Sequence, residues 1–248
     1  MPDLNFEVVG AEAPAFAAVP LLVFKLHVTN ENAEEHIHSV SLRCQIQISA
    51  TRRRYHPDEQ ERLLEIFGEP QRWRETLRPL LWTHASAVVP PFTGSTIVDL
   101  PIACTYDFEV VGTRYFAALA DGEIPLIFLF SGTIFYEGEQ DHLQVGQISW
   151  SKEAGYRLPV AVWREVIERY YPNTNWIRLH RDTFDQLYRY KVAHGFPTWE
   201  QTFEHLLKMG AQGAKQLAGG AEVSPDFSPF STGVSLGDAK EHGKEARS

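Results

Sequence analysis

Cysteine is scarce in this chain: Cys44 and Cys104 are the only two in 248 residues. Both sit in strand-like runs, in phase with apolar neighbours, so two reduced core thiols are expected rather than a disulfide framework. Lysine is scarce too. Of 23 basic residues 16 are Arg, and no Lys falls between Lys25 and Lys152. Long apolar runs are missing. The Ala13–Phe24 stretch is broken by Pro14 and Pro20, and nothing approaches the roughly 20 apolar residues that cross a bilayer as a helix. Asp3 and Glu7 stand where a secretory signal would carry basic residues. No membrane insertion and a cytoplasmic location are therefore expected. A basic face is also lacking: the formal charge is −9 and the pI near 5.6, which argues against nucleic acid, whose phosphates demand counter-charge. Finally, no Gly-rich phosphate loop, HExxH, GxSxG or CxxC occurs. This leaves no catalytic residue to name and no cofactor to expect, and it leans the reading away from an enzyme.

What is present is a series of β-like segments followed by a dense aromatic block. Val40, Leu42, Cys44, Ile46 and Ile48 alternate with Ser41, Arg43, Gln45 and Gln47. That is a strand with one dry and one wet face, the signature of an antiparallel sheet. Residues 5–9, 22–28, 80–89, 96–108, 113–119, 124–136 and 143–150 read as further β segments, the last of them as a meander. Residues 55–78 interrupt the rhythm. Pro57 opens a helix that Gly68 closes, a second short helix follows around Pro70–Leu77, and the span from Arg52 to Arg78 mixes seven Arg with six acidic residues. From Leu158 three helical patterns follow. Val162, Trp163, Val166, Ile167 and Tyr170 form the first stripe. Asp182 reads as the N-cap of a second helix with Phe184, Leu187, Tyr188 and Lys191, and Thr198 with Gln201 as a capping box for a third. Trp176–Leu179 fits a short edge strand. After Gly210 the composition turns to Gly, Ala, Ser and charge, as in disordered tails.

The expected architecture is thus α+β: an antiparallel β-sandwich-like body over 1–157 with the helical insertion at 55–78, a three-helix unit over 158–210 packed on it within one globular domain, 1–210, and a disordered tail over 211–248. Few constellations carry chemistry. His36 and His38 share a strand face at a spacing metal sites use, beside Glu34 and Glu35, but a structural metal usually takes four ligands and no distant partner can be named. No metal site is expected, with His36 and His38 the only candidates. Arg52-Arg53-Arg54 fits a solvated strand end facing the acidic helix that follows. Glu165/Glu168 and Asp182/Asp185 are explained by wet helix faces and the helix dipole. The aromatic set Trp163, Tyr170, Tyr171, Trp176, Tyr188, Tyr190 and Trp199 has two readings: helix-to-sheet packing, favoured by its helical spacing, or a ligand cleft or partner surface. For the partner surface the leading residues are Trp163, Tyr170, Tyr171 and Trp176.

The segments PLIFLFSGTIFY (125–136), WREVIERYYPN (163–173), WIRLHRDTFDQLYRYK (176–191) and GFPTWEQTFEHLL (195–207) together resemble an uncharacterised actinobacterial family carrying only a domain-of-unknown-function label. The resemblance covers roughly 3–208. That family is associated with gene clusters for [NiFe] uptake hydrogenases, which implies an accessory or assembly role and a hydrogenase subunit as partner. Leu179 followed by FDQLY (184–188) is similar, over the last third only, to SecB-type export chaperones, which implies a holdase. The leading expectation is a non-enzymatic protein-binding accessory factor, with a small-molecule or metal-binding protein or an enzyme of unrecognised site as the alternative.

Overall fold

A computed structural model describes residues 2–104, 111–138, 142–173, 177 and 179–218. The chain forms two compact units, Met1–Arg178 and Leu179–Ser248. The first holds two antiparallel sheets. One is ordered β1-β2-β6, from β1 (Leu4–Glu12), β2 (Leu21–Asn30) and β6 (Ser95–Ala103). The larger is ordered β4-β3-β7-β8, from β4 (Leu80–Val89), β3 (His36–Ile48), β7 (Glu123–Glu137) and β8 (Leu143–Gln147). The short β5 (Phe92–Thr93) pairs with β3, and β9 (Glu153–Pro159) with β7. The architecture is α+β.

The alternation read in β3 is the register of the sheet: Val40, Leu42, Cys44, Ile46 and Ile48 are all buried. Phe24 of β2 meets Phe128 of β7 with ring centroids 5.0 Å apart, and Phe6 of β1 stacks on Phe130 at 4.4 Å. The inner faces of both sheets therefore line one hydrophobic core. Gly132 sits in β7 with φ 148, and a Cβ there would lie 2.1 Å from the Ser41 carbonyl oxygen. Only glycine lets β3 and β7 approach this closely.

Several expectations are corrected. The segment 113–119, read as β, is helix α3 (Val111–Ala118). Gly112, Tyr115, Phe116 and Leu119 are buried and Val111, Arg114 and Ala117 exposed, a helical spacing carried over too few residues, and by a glycine and aromatics that read as strand, for the sequence to show it. The meander is absent: β8 pairs with residues 133–137 of β7, and β9, which the sequence reading missed, pairs with residues 123–129 of the same strand. The strand read at 143–150 ends at Gln147. The insertion contains α1 (Pro57–Phe67), a 3-10 turn (Pro70–Arg72) and α2 (Trp73–Thr76), as its punctuation suggested.

The helices after residue 158 are divided between the two units. Helix α4 (Val160–Tyr170) lies in the first unit, where Trp163 is buried and meets Phe116 of α3 at 5.5 Å. The second unit holds α5 (Arg181–Ala193) and α6 (Trp199–Ala218). Helix α5 starts one residue before Asp182, with His180 as N-cap. Helix α6 runs past Gly210 to Ala218, so residues 211–218 are not a loose tail. The rest of that reading, 219–248, lies outside the described residues. So do Trp176 and Arg178 of the edge strand read at 176–179, and Ile177 and Leu179 are not in a strand.

Candidate partner-binding surface

The helical hairpin α5–α6 is built by strong local signals. Gly195, at φ 68, turns the chain after α5. The Lys191 ammonium donates to the carbonyls of Phe196 and Pro197 at 2.7 and 3.0 Å, pinning the connection. Thr198 then caps α6, accepting the Gln201 N–H at 3.2 Å, which bears out half of the predicted box. Two ring clusters join the helices. In one, Phe184 and Tyr188, one turn apart, meet Trp199 at 5.3 and 6.5 Å, and Trp199 stacks on Phe203 at 6.0 Å. The Lys191 ammonium lies 5.9 Å from the Trp199 ring centre. In the other, the Tyr190 hydroxyl hydrogen-bonds His205 Nδ1 at 2.8 Å, and His194 stacks on Tyr190 at 4.0 Å.

These clusters are not interior. No residue of α5 is buried, and Thr202 is the only buried residue among the hairpin's described side chains. Phe184 is 43% and Tyr188 53% exposed, and Val192, Leu207 and Met209 are exposed as well. Two helices of this size cannot bury enough apolar surface to be stable alone; chains below roughly 40 residues need an external aid. Burying such a side chain whole is worth about 1.5–3 kcal/mol, and covering the half of Phe184 or Tyr188 that is exposed roughly half of that. The hairpin therefore presents an aromatic surface that gains from being covered.

The residues named first for a partner surface are placed differently. Trp163 is core, 6% exposed, although with Arg164, Glu165, Ile167 and Glu168 it borders a recess of about 450 Å³. The Tyr170 hydroxyl donates to the Ala17 carbonyl at 2.6 Å, and Arg169 donates to the carbonyls of Ala13 and Pro14. Together they hold the loop that projects Phe16, which is fully exposed. Sequence reasoning missed Phe16, since an aromatic in a Pro-flanked apolar stretch looks like core. Tyr171 is half-buried, and Trp176 lies outside the described residues.

His36 and His38 stand with ring centres 5.0 Å apart, and His36 Nδ1 lies 3.1 Å from Thr93 Oγ1. His38 borders a recess of about 430 Å³ with Ser39, Phe135 and Leu143. Among the described residues no group of three or more His, Cys, Asp and Glu gathers as a metal set would. Glu165 and Glu168 are engaged separately: Glu165 pairs with Arg169 at 2.6 Å, and Glu168 accepts the Asn173 N–H. Asp182 lies in the first turn of α5.

The densest buried polar network lies in the insertion. Arg53 is 8% and Glu59 0% exposed, with Nη2 and Oε1 2.7 Å apart. Arg53 is therefore not the solvated strand end the sequence suggested. It donates further to the carbonyls of Asp121 and Glu123, each at 2.7 Å. Glu59 accepts the N–H groups of Ala120 and His56. Burial pushes the Glu59 carboxyl up, but these N–H donors and the guanidinium outweigh it and hold it below its usual value. Beside it, the Tyr55 hydroxyl donates to the Ala50 carbonyl at 2.7 Å. Its one proton is thereby used, so Tyr115 donates to Tyr55 at 2.9 Å. Burial pushes both phenols up, Tyr115 to about 12. This network clamps α1 to the loop before β7: both terminal nitrogens of Arg53 meet internal acceptors, while its Nε is buried without a hydrogen-bond partner.

Among solved structures, the chain is similar to the CARDB domain of the PF1109 protein from Pyrococcus furiosus, whose structure is in complex with di-metal ions. The identity is 12% and the TM-score 0.24, over 64% of this chain and 92% of that one. It is also similar to a beta-glucosidase from Kluyveromyces marxianus at 10% identity and a TM-score of 0.24, over 63% of this chain and 15% of that one. Neither likeness is close enough to argue from. No curated protein matches. Among the described residues no helix is long and apolar enough to cross a membrane. A family model does match residues 1–215, and by it the chain belongs to DUF6084, a family of unknown function.

Proposed function

We propose that this protein is a non-enzymatic accessory factor that binds another protein through the aromatic face of the α5–α6 hairpin. One observation carries the reading: a helix with Phe184, Leu187, Tyr188 and Val192 buries none of its residues. Exposed aromatic and aliphatic groups on a preformed helical element are the material of interface hot spots. The first unit is read as a rigid sandwich-like carrier, a reading supported by the rings of Phe6 and Phe24 that bridge its two sheets. The resemblance described above makes a [NiFe] hydrogenase subunit, during maturation, the first partner to test, with a cytoplasmic location. A holdase of the SecB kind is the second reading, since an exposed aromatic surface also suits unfolded chains.

The test is tagged purification from the native organism, comparing the wild type with the Phe184→Ser/Tyr188→Ser variant. A partner held at fixed stoichiometry by the wild type, and at least about tenfold more weakly by the variant, is expected, because truncating a hot-spot residue costs about 2 kcal/mol or more. A mixture of unrelated clients at variable stoichiometry would favour the holdase. Equal capture by the variant would refute the assigned surface.

A further inference from the structure

The edge of β8 is open among the described residues: the strand ends the larger sheet, and no strand follows it. Its register against β7 runs from Thr133↔Gln147 to Glu137↔Leu143. At the two ends of the ladder Gly138 N–H donates to the His142 carbonyl at 2.9 Å and Ile148 N–H to the Gly132 carbonyl at 3.0 Å. In an antiparallel ladder bonded and non-bonded pairs alternate. Gln144 and Gly146 therefore turn their backbone groups toward β7, while Leu143, Val145 and Gln147 turn theirs outward.

Edges are ordinarily blunted by shortness, charge, proline or bulges, and β8 has only the first, at five residues. β1 has Glu7, Glu12 and a register shift between Val8 and Gly10. β6 has Asp99 and Pro101, and β9 has Glu153, Arg157 and Pro159. β4 has a bulge opposite Ile46 and Gln47 and runs into Pro90. β8 reads Leu-Gln-Val-Gly-Gln, with no charge and no proline. Leu143 is 62% and Val145 59% exposed. They share a sheet face with Phe135, which pairs directly with Val145.

We propose that β8 pairs antiparallel with β8 of a second copy of this chain, about a two-fold axis at Val145, joining two larger sheets into one. The strand is self-complementary in this register. Val145 faces Val145, Leu143 faces Gln147, Gln144 faces Gly146, and no like charges meet. The outward-turned residues fall on one another, so each such pair exchanges both backbone hydrogen bonds. A second copy fits this edge because the uncharged strand meets itself with Val145 on Val145 and no charge to repel, and the two-fold register makes the contact isologous. So short a strand gives an interface at the small end of the range, hence a reversible dimer that follows concentration.

The experiment is sedimentation velocity on the full chain over a concentration series reaching the millimolar, with Val145→Lys beside the wild type. The wild type is expected to shift from monomer to dimer, and Val145→Lys, which sets two ammonium groups face to face, to weaken the dimer at least tenfold with an unchanged melting temperature. The Phe184→Ser/Tyr188→Ser variant should dimerise like the wild type, which separates this edge from the hairpin. Amide exchange on the wild type guards against a misfolded variant: protection at Val145 should rise with concentration, and that at Gln144, already bonded within the sheet, should not. A wild type that stays monomeric, a Val145→Lys dimer of undiminished strength, or concentration-independent exchange at Val145 would each overturn the proposal.

Discussion

Replacing Glu59 by Gln keeps the size of the side chain and removes its charge. Arg53 is then left as a buried cation, 8% exposed, with only the neutral carbonyls of Asp121 and Glu123 and an amide oxygen as acceptors. Breaking a buried pair on one side costs about 3–5 kcal/mol. In a unit the size of residues 1–178, each kcal/mol lowers the melting temperature by about 2–4 °C, so the midpoint should fall by roughly 6–20 °C. The apolar double variant Arg53→Met/Glu59→Leu should not recover full stability here. It orphans the N–H groups of Ala120 and His56, and each unsatisfied buried donor costs about 1–3 kcal/mol. The pH dependence has a fixed sign. Because the folded Glu59 carboxyl lies below its usual value, its contribution is complete above the unfolded pKa, about 4.3, and is lost as pH falls through the folded value. Urea unfolding at neutral pH and through the acid range checks both points: Glu59→Gln should lower stability at neutral pH and flatten the acid limb. A loss under about 1 kcal/mol with an unchanged acid limb would refute the claim that this pair clamps the insertion to the body.

Other outcomes follow from the core. Burial pushes the Cys44 and Cys104 thiols up to about 12, so a thiol reagent at neutral pH should leave both unmodified in the native protein and label both in denaturant; fast native labelling would contradict their placement. Gly132→Ala should destabilise by at least about 1–3 kcal/mol from the backbone conformation alone, with the contact to the Ser41 carbonyl adding to it. A midpoint within error of the wild type in urea would contradict the close approach of β3 and β7.

How much of this was legible in the sequence differs by element. β3 was legible because one face is dry and the other wet, and α1 because Pro57 and Gly68 bracket it. α3 was not, since its helical spacing spans only two turns and rests on Gly112, Tyr115 and Phe116, residue types that do not favour a helix. β9 was hidden because Gly155 and Pro159 weaken its strand character, while its pairing with β7 is decided by tertiary contact. The role of Arg53 was unreadable: its acceptors at Asp121 and Glu123 are 68 and 70 residues away in sequence, and backbone carbonyls leave no trace in residue type. The hairpin's stripe was visible, but periodicity reports that a helix has an apolar face and is silent on whether anything covers it. That distinction separates Trp163, packed on Phe116, from Phe184 and Tyr188, which face outward.

The central claim is that this aromatic face docks a protein. It is tested most directly by quantitative purification from native cells of the wild type against Phe184→Ser/Tyr188→Ser, with matched melting temperatures as the control. The account predicts a partner at fixed stoichiometry that the variant loses. Identical capture by both proteins, or elution of the wild type alone, would contradict it.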